Sequence, residues 1–215
     1  MNSCCDPDDY QRMFGDRFSR QIAKRYRRKG LTKPAARLLN AVTERGVDGM
    51  TVLEVGGGVG QLQIELLQAG AVASTNLELV DSYDAEARAL ATTAGLAERM
   101  SRQRINLAEQ PDAVPPHDIV ILHRVVCCYP DYERLLNAAA GRARRLLVFS
   151  HPPRNWRTRS VTTFENLWFR LRGNSFRTFV HDPTAMIESA SAGGLRLAET
   201  QPGRRWTIVA MEAAT

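Results

Sequence analysis

Glu54, Gly56, Gly58 and Gly60 stand at alternate positions in TVLEVGGGVGQLQIEL (residues 51–66), with Gly57 between them and Glu78 one apolar segment later. Glycines let a backbone turn sharply and bring a ligand close without a Cβ in the way. A carboxylate closing the following strand can accept hydrogen bonds from both hydroxyls of a ribose. Asp81 competes for that role, but SYDAEARALA from Ser82 reads as the next helix, which favours Glu78 and its neighbour Leu79. A dinucleotide fingerprint G-x-G-x-x-G begun at Gly56 needs a glycine where Gln61 stands. An empty tight loop would need none of this acid spacing.

Proton-transfer candidates come later in the chain. DIVILHRVVCCYPD (118–131) sets His123 and Arg124 just beyond an apolar strand pattern, and ligands of open parallel sheets bind at the carboxyl ends of strands. His123 can take a proton near neutral pH, as a general base for a hydroxyl or amine; a buried histidine holding a loop carbonyl is the competing reading. His151 and His181 are secondary candidates. The cysteines form two adjacent pairs, Cys4–Cys5 and Cys127–Cys128. Adjacent thiolates converge poorly on one tetrahedral ion, and C-x-x-C spacing is absent, so no metal is expected.

The elements that must position these residues alternate between strand and helix, the pattern of a parallel sheet with crossover helices. Thr51, Val52, Leu53 and Val55 suit a strand buried on both faces. Ile64 and Leu67 then resume at helical spacing, so a helix N-terminus points at whatever lies over the glycines. Strands are expected at about 51–55, 74–78, 102–106, 118–123, 145–150, 195–200 and 206–211, and helices at about 59–69, 83–94, 131–141 and 183–193. Ahead of them, Asp6-Pro7 reads as a cap and first position of one helix running to about Arg28, where Gly30 stops it. Its stripe of Tyr10, Met13, Phe14, Phe18, Ile22 and Tyr26 is expected mostly to pack. Thr32 caps a second helix ending near Gly46. Between 151 and 182 lies an insertion whose short amphipathic helix carries Val161, Phe164, Leu167, Trp168 and Leu171 on one side, read as a lid or as an extension of the core.

At 215 residues the chain has the length of one domain with an ample core. No apolar run approaches a membrane span, and MNSCCDPDDY lacks the basic-then-apolar order of an export signal, so a cytoplasmic protein without structural disulfides is expected. The net charge of +6 is uneven: from Arg142 to Arg177 there are nine arginines and one acid, Glu165. That stretch suits an anionic substrate or polyanion, or is simply a solvated basic face.

The pattern acid-x-G-x-G-x-G resembles the nucleotide loop of class I S-adenosylmethionine (SAM) dependent methyltransferases. FGDRFSRQIAKRYRRKGL, LEVGGGVGQLQIELLQAGA and HRVVCCYPDYERLL together give a distant likeness to the magnesium-protoporphyrin O-methyltransferase group. The resemblance implies a Rossmann-like α/β fold: a mostly parallel seven-stranded sheet with an antiparallel last strand, N-terminal helices over residues 1–46 and the helical lid. It implies SAM as cofactor and S-adenosylhomocysteine as product. The cofactor would be held by Glu54, Gly56, Gly57, Gly58, Gly60, Glu78, Leu79 and His123. Asn106 and Leu107 would flank the adenine, Asn106 replacing the aspartate of many relatives, while Tyr26 and Arg27 would touch it from the N-terminal helices. It implies methyl transfer to a small molecule by in-line displacement, with a homodimer as one possible assembly. The alternatives are a nucleic-acid methyltransferase, for which no N-P-P-Y or D-P-P-Y tetrapeptide follows the fourth strand, a non-catalytic SAM-binding module, and a nicotinamide-dependent oxidoreductase.

Overall fold

The computed structural model describes residues 7–214, with side chains from Tyr10 onward. The Asp6 cap and the pair Cys4–Cys5 lie outside the described residues. Strands β1 (Thr51–Val55), β2 (Ala73–Glu78), β3 (Met100–Arg104), β4 (His117–Leu122), β5 (Ala143–His151), β6 (Leu195–Gln201) and β7 (Thr207–Ala213) form one seven-stranded sheet. Its order is β3-β2-β1-β4-β5-β7-β6, with β7 antiparallel to β5 and β6 and the other neighbours parallel. The chain reverses direction of travel between β1 and β4, so the carboxyl ends of those two strands open a crevice.

Period-two alternation sorts the apolar side chains into two layers. Ile119 and Ile121 of β4, Leu146 and Val148 of β5, and Ile208 and Ala210 of β7 join one core. Val120, Leu122, Leu147, Phe149, Val209 and Met211 join the other. Helices α3 (Lys33–Thr43) and α4 (Gln61–Gln68) pack on the first layer, and α6 (Tyr132–Gly141) and α8 (Pro183–Ala192) on the second. Helix starts follow their capping residues: Thr32, Asp131 and Asp182 each accept a hydrogen bond from a backbone N–H of the first turn.

Three expectations are corrected. The N-terminal segment is two helices, α1 (Pro7–Met13) and α2 (Asp16–Lys29), because Gly15 adopts an extended conformation as the cap of α2. Glycine is a poor helix interior residue, and Asp16 favours a new N-terminus. Strand β3 starts two residues early, at Met100; it is an edge strand, and the polar run Ser101–Arg104 carries little apolar signal. Helix α7 (Trp156–Leu171) has no buried residue, and Val161, Phe164, Leu167, Trp168 and Leu171 are exposed, so the stripe does not extend the core.

Candidate active site

The β1 strand ends in a loop where Gly56, Gly58 and Gly60 have φ of 65°, 58° and 76°, the left-handed region that favours glycine. Gly60 caps α4 in that conformation, which starts the helix at Gln61. Gly57 is required for another reason: a Cβ there would lie 2.5 Å from Glu54 Oε2 and 2.8 Å from Asn76 Oδ1.

Two carboxylates sit beneath this loop. Glu78, at the end of β2, accepts a hydrogen bond of 2.5 Å from Gly58 N through Oε1. Burial pushes its pKa up to about 7 against the lowering influence of the Gly58 N–H, Arg102 and Asn76. Burial and the neighbouring Glu78 charge push Glu54 up to about 8. Glu54 Oε2 is buried without a hydrogen-bond partner. Arg102 of β3 ties the loop to Asp84, donating from Nη1 to Gly58 O at 2.9 Å and from Nε to Asp84 Oδ1 at 3.0 Å. Asn76 Oδ1 accepts from Gly57 N at 2.9 Å.

Beyond β4, Arg124 is the single non-glycine residue with positive φ among the described residues, at 64°. Its N–H donates to Ser150 Oγ at 2.9 Å, and that hydroxyl lies 3.0 Å from His123 Nδ1. The bend aims the Arg124 guanidinium at Trp206, 5.2 Å from the ring centre. Burial, reinforced by the Arg124 charge, pushes His123 down to about 4, so its imidazole is neutral at physiological pH with Nδ1 engaged. Arg37 of α3 positions the β6–β7 hairpin that carries Trp206, donating to Gln201 O, Pro202 O and Trp206 O at 2.9, 3.1 and 3.2 Å.

These parts share one cavity of about 1190 Å³. Its lining brings together Glu54, Gly56, Gly57, Gly58, Glu78, Leu79, Asn106, Leu107, His123 and Arg124. Tyr10, Met13, Phe14, Phe18 and Ile22 line it too, so the stripe, which packs on the core through Tyr10, Met13, Phe14, Ile22 and Tyr26 as expected, also forms a wall of the cavity. Phe14 meets Phe176 edge-on at 5.3 Å, and Phe169 lies 5.6 Å from Phe176. From α7, Thr158, Thr162, Glu165 and Phe169 look into the same space.

Other predicted residues are placed elsewhere. Gly60, Tyr26 and Arg27 are not in the lining. Tyr26 donates to Glu65 at 2.9 Å, and Arg27 pairs with Glu86 at 2.9 Å. His151 is buried with Nδ1 2.9 Å from Pro152 O. His181 Nε2 lies 3.1 and 3.0 Å from the carbonyls of Val126 and Tyr129, the loop-holding arrangement. Cys127 and Cys128 line the cavity as free thiols with Sγ atoms 3.6 Å apart. Among the described residues no group of three or more His, Cys, Asp or Glu could hold a metal ion.

Sequence reasoning missed Arg102, Asn76, Trp206 and Tyr83, whose ring lines the cavity beside Gly58. Asn76 had a signal, since it stands two before Glu78 and shares its face of β2. Arg102 had none, because it meets Asn76 only through the β2–β3 register.

This strand order with an antiparallel β7 is the Rossmann-like fold of class I SAM-dependent methyltransferases. The chain is similar in structure to magnesium protoporphyrin IX methyltransferase (ChlM) from Synechocystis PCC 6803 with bound SAH: TM-score 0.69, 19% identity, 96% of this chain and 94% of that one. It is also similar to an O-methyltransferase family protein from Burkholderia thailandensis (TM-score 0.71, 17% identity, 93% of this chain and 60% of that one). A third similar structure is the mitomycin 7-O-methyltransferase MmcR (TM-score 0.63, 22% identity, 84% and 53%). No family model matches the sequence, and no curated protein matches it.

Proposed function

We propose that the protein is a SAM-dependent methyltransferase acting on a small-molecule acceptor, with residues 7–46 and the 151–182 insertion closing over one catalytic domain. The observation that carries this reading is the single cavity joining the glycine loop and Glu78 to His123, Arg124 and the inner side of α7. Its volume, about 1190 Å³, exceeds what one small ligand usually fills and suits a cofactor beside an acceptor. The solved structures of similar fold include one methyltransferase crystallised both with SAH and with SAM.

The residues present fit that cofactor. Glu78 is a buried acceptor at the strand end where ribose hydroxyls are received, and the glycines leave no Cβ between loop and ligand. Asn106 and Leu107 line the same cavity after β3 and would flank the adenine. The cofactor supplies a methyl group already activated on a sulfonium. The protein's task is then to align the acceptor and keep water out. Tyr10, Phe14, Phe169 and Phe176 form an apolar wall, while Arg124, Arg157, Arg204 and Arg205 offer cations, an arrangement for an anionic acceptor with an apolar body. A carboxylate acceptor gives up no proton. A phenol, thiol or amine would pass one to His123 Nε2, with Nδ1–H donated to Ser150.

Nucleic acid is the weaker reading. Of Trp156, Phe164, Trp168 and Phe169, the aromatics of the basic segment able to stack bases, only Phe169 lines the cavity; the other three are exposed away from it. Calorimetry with SAH, SAM and NAD tests the proposal: heat with the first two and none with the third is expected. Folded protein giving no heat with SAM or SAH overturns it.

A further inference from the structure

Helix α7 is amphipathic the wrong way round for a helix that serves only the interior. Thr158, Thr162, Glu165 and Phe169 line the cavity. On the other side Trp156, Phe164, Trp168 and Leu171 are 72%, 72%, 54% and 75% exposed. Their spacings of eight, four and three residues form one stripe. A contiguous stripe of this kind marks an interaction surface, unlike single scattered apolar residues.

Arginines frame the stripe. Arg172 lies 4.2 Å from the ring centre of Trp168. Arg159 and Arg170 are exposed. The helix's one acid, Glu165, belongs to the cavity side.

We propose that the outer side of α7 docks on an anionic phospholipid bilayer. Trp, Phe and Leu on one side with arginine around them is the composition of a helix lying in the headgroup plane. Arginine extends to lipid phosphates while its stem stays on the apolar surface, and each basic residue near the surface adds attraction to anionic lipid. No helix among the described residues is long and apolar enough to cross a membrane, so the contact is peripheral. A second copy of the chain fits less well, because a two-fold contact sets each patch against itself and brings these arginines together. The docking does not rest on what the cavity binds.

The full chain is sedimented with phosphatidylcholine vesicles and with vesicles containing phosphatidylglycerol, at low and high salt. Expected are binding to the anionic vesicles, weaker binding to the neutral ones, and loss with salt. F164S/W168S should weaken partitioning roughly a hundredfold while circular dichroism stays unchanged. R159E/R170E should weaken it with little effect on the residual neutral-vesicle binding. Absence of binding to anionic vesicles overturns the proposal, as does wild-type partitioning by both variants. A vesicle-free dimer that F164S/W168S dissociates, or capture of RNA in place of vesicles, also overturns it.

Discussion

Protonation of Glu78 should set the pH dependence of cofactor binding. Its carboxyl is pushed up to about 7 in the free protein by burial, partly offset by the Gly58 N–H and the Arg102 charge. Two ribose hydroxyls donate best to the ionised form, so binding selects the deprotonated state and releases a proton. With a free-protein pKa of about 7, the ionised fraction falls from about nine tenths at pH 8 to about one tenth at pH 6. Affinity for SAH should therefore drop about tenfold, or about 1.4 kcal/mol, over that interval. The free protein should show the opposite slope. Glu78 and Glu54 hold protons in the folded state that carboxyls at their ordinary value of 4.5 would release, so their contribution favours unfolding as pH rises from about 4.5 to about 8. Calorimetric titration with SAH at several pH values, in buffers of different ionisation enthalpy, reads both affinity and proton release. Glu78→Gln should cost roughly 1–3 kcal/mol at pH 8 and flatten the gradient. Wild-type affinity independent of pH, or the same gradient in Glu78→Gln, would refute the reasoning.

Further outcomes follow from the loop and from His123. Gly58→Val places a β-branched residue at φ 58° with its Cβ 3.5 Å from the Tyr83 ring, so SAH affinity should fall by more than about tenfold while circular dichroism is preserved. Undiminished SAH affinity would remove the loop from the site. His123→Asn should lower turnover roughly a hundredfold or more for a phenol or amine acceptor and leave a carboxylate acceptor little affected; a kcat comparison across acceptor classes, with SAH affinity as control, reads the difference.

Strand β1, the glycine turn and α4 were legible because each depends on neighbours in sequence: β-branched residues, left-handed φ and helical spacing. The closing β6–β7 hairpin was legible for the same reason, through its Pro202-Gly203 turn. Glu78 could be chosen over Asp81 from strand length, and it reaches the cavity lining. The split between α1 and α2 was less visible, since Gly15 lies inside an apolar stripe that continues at helical spacing across the break.

The amino-acid order determined the kind of each central element and the glycine loop between them, because backbone preferences and capping act over a few residues. Tertiary structure alone decided which side chains met. Arg102 reaches Gly58 through strand register, Tyr26 and Arg27 are drawn to Glu65 and Glu86, and His181 is held by carbonyls more than fifty residues away. The orientation of α7 belongs with these. A helical stripe has two sides in any sequence, and only packing against the cavity determines which one faces water.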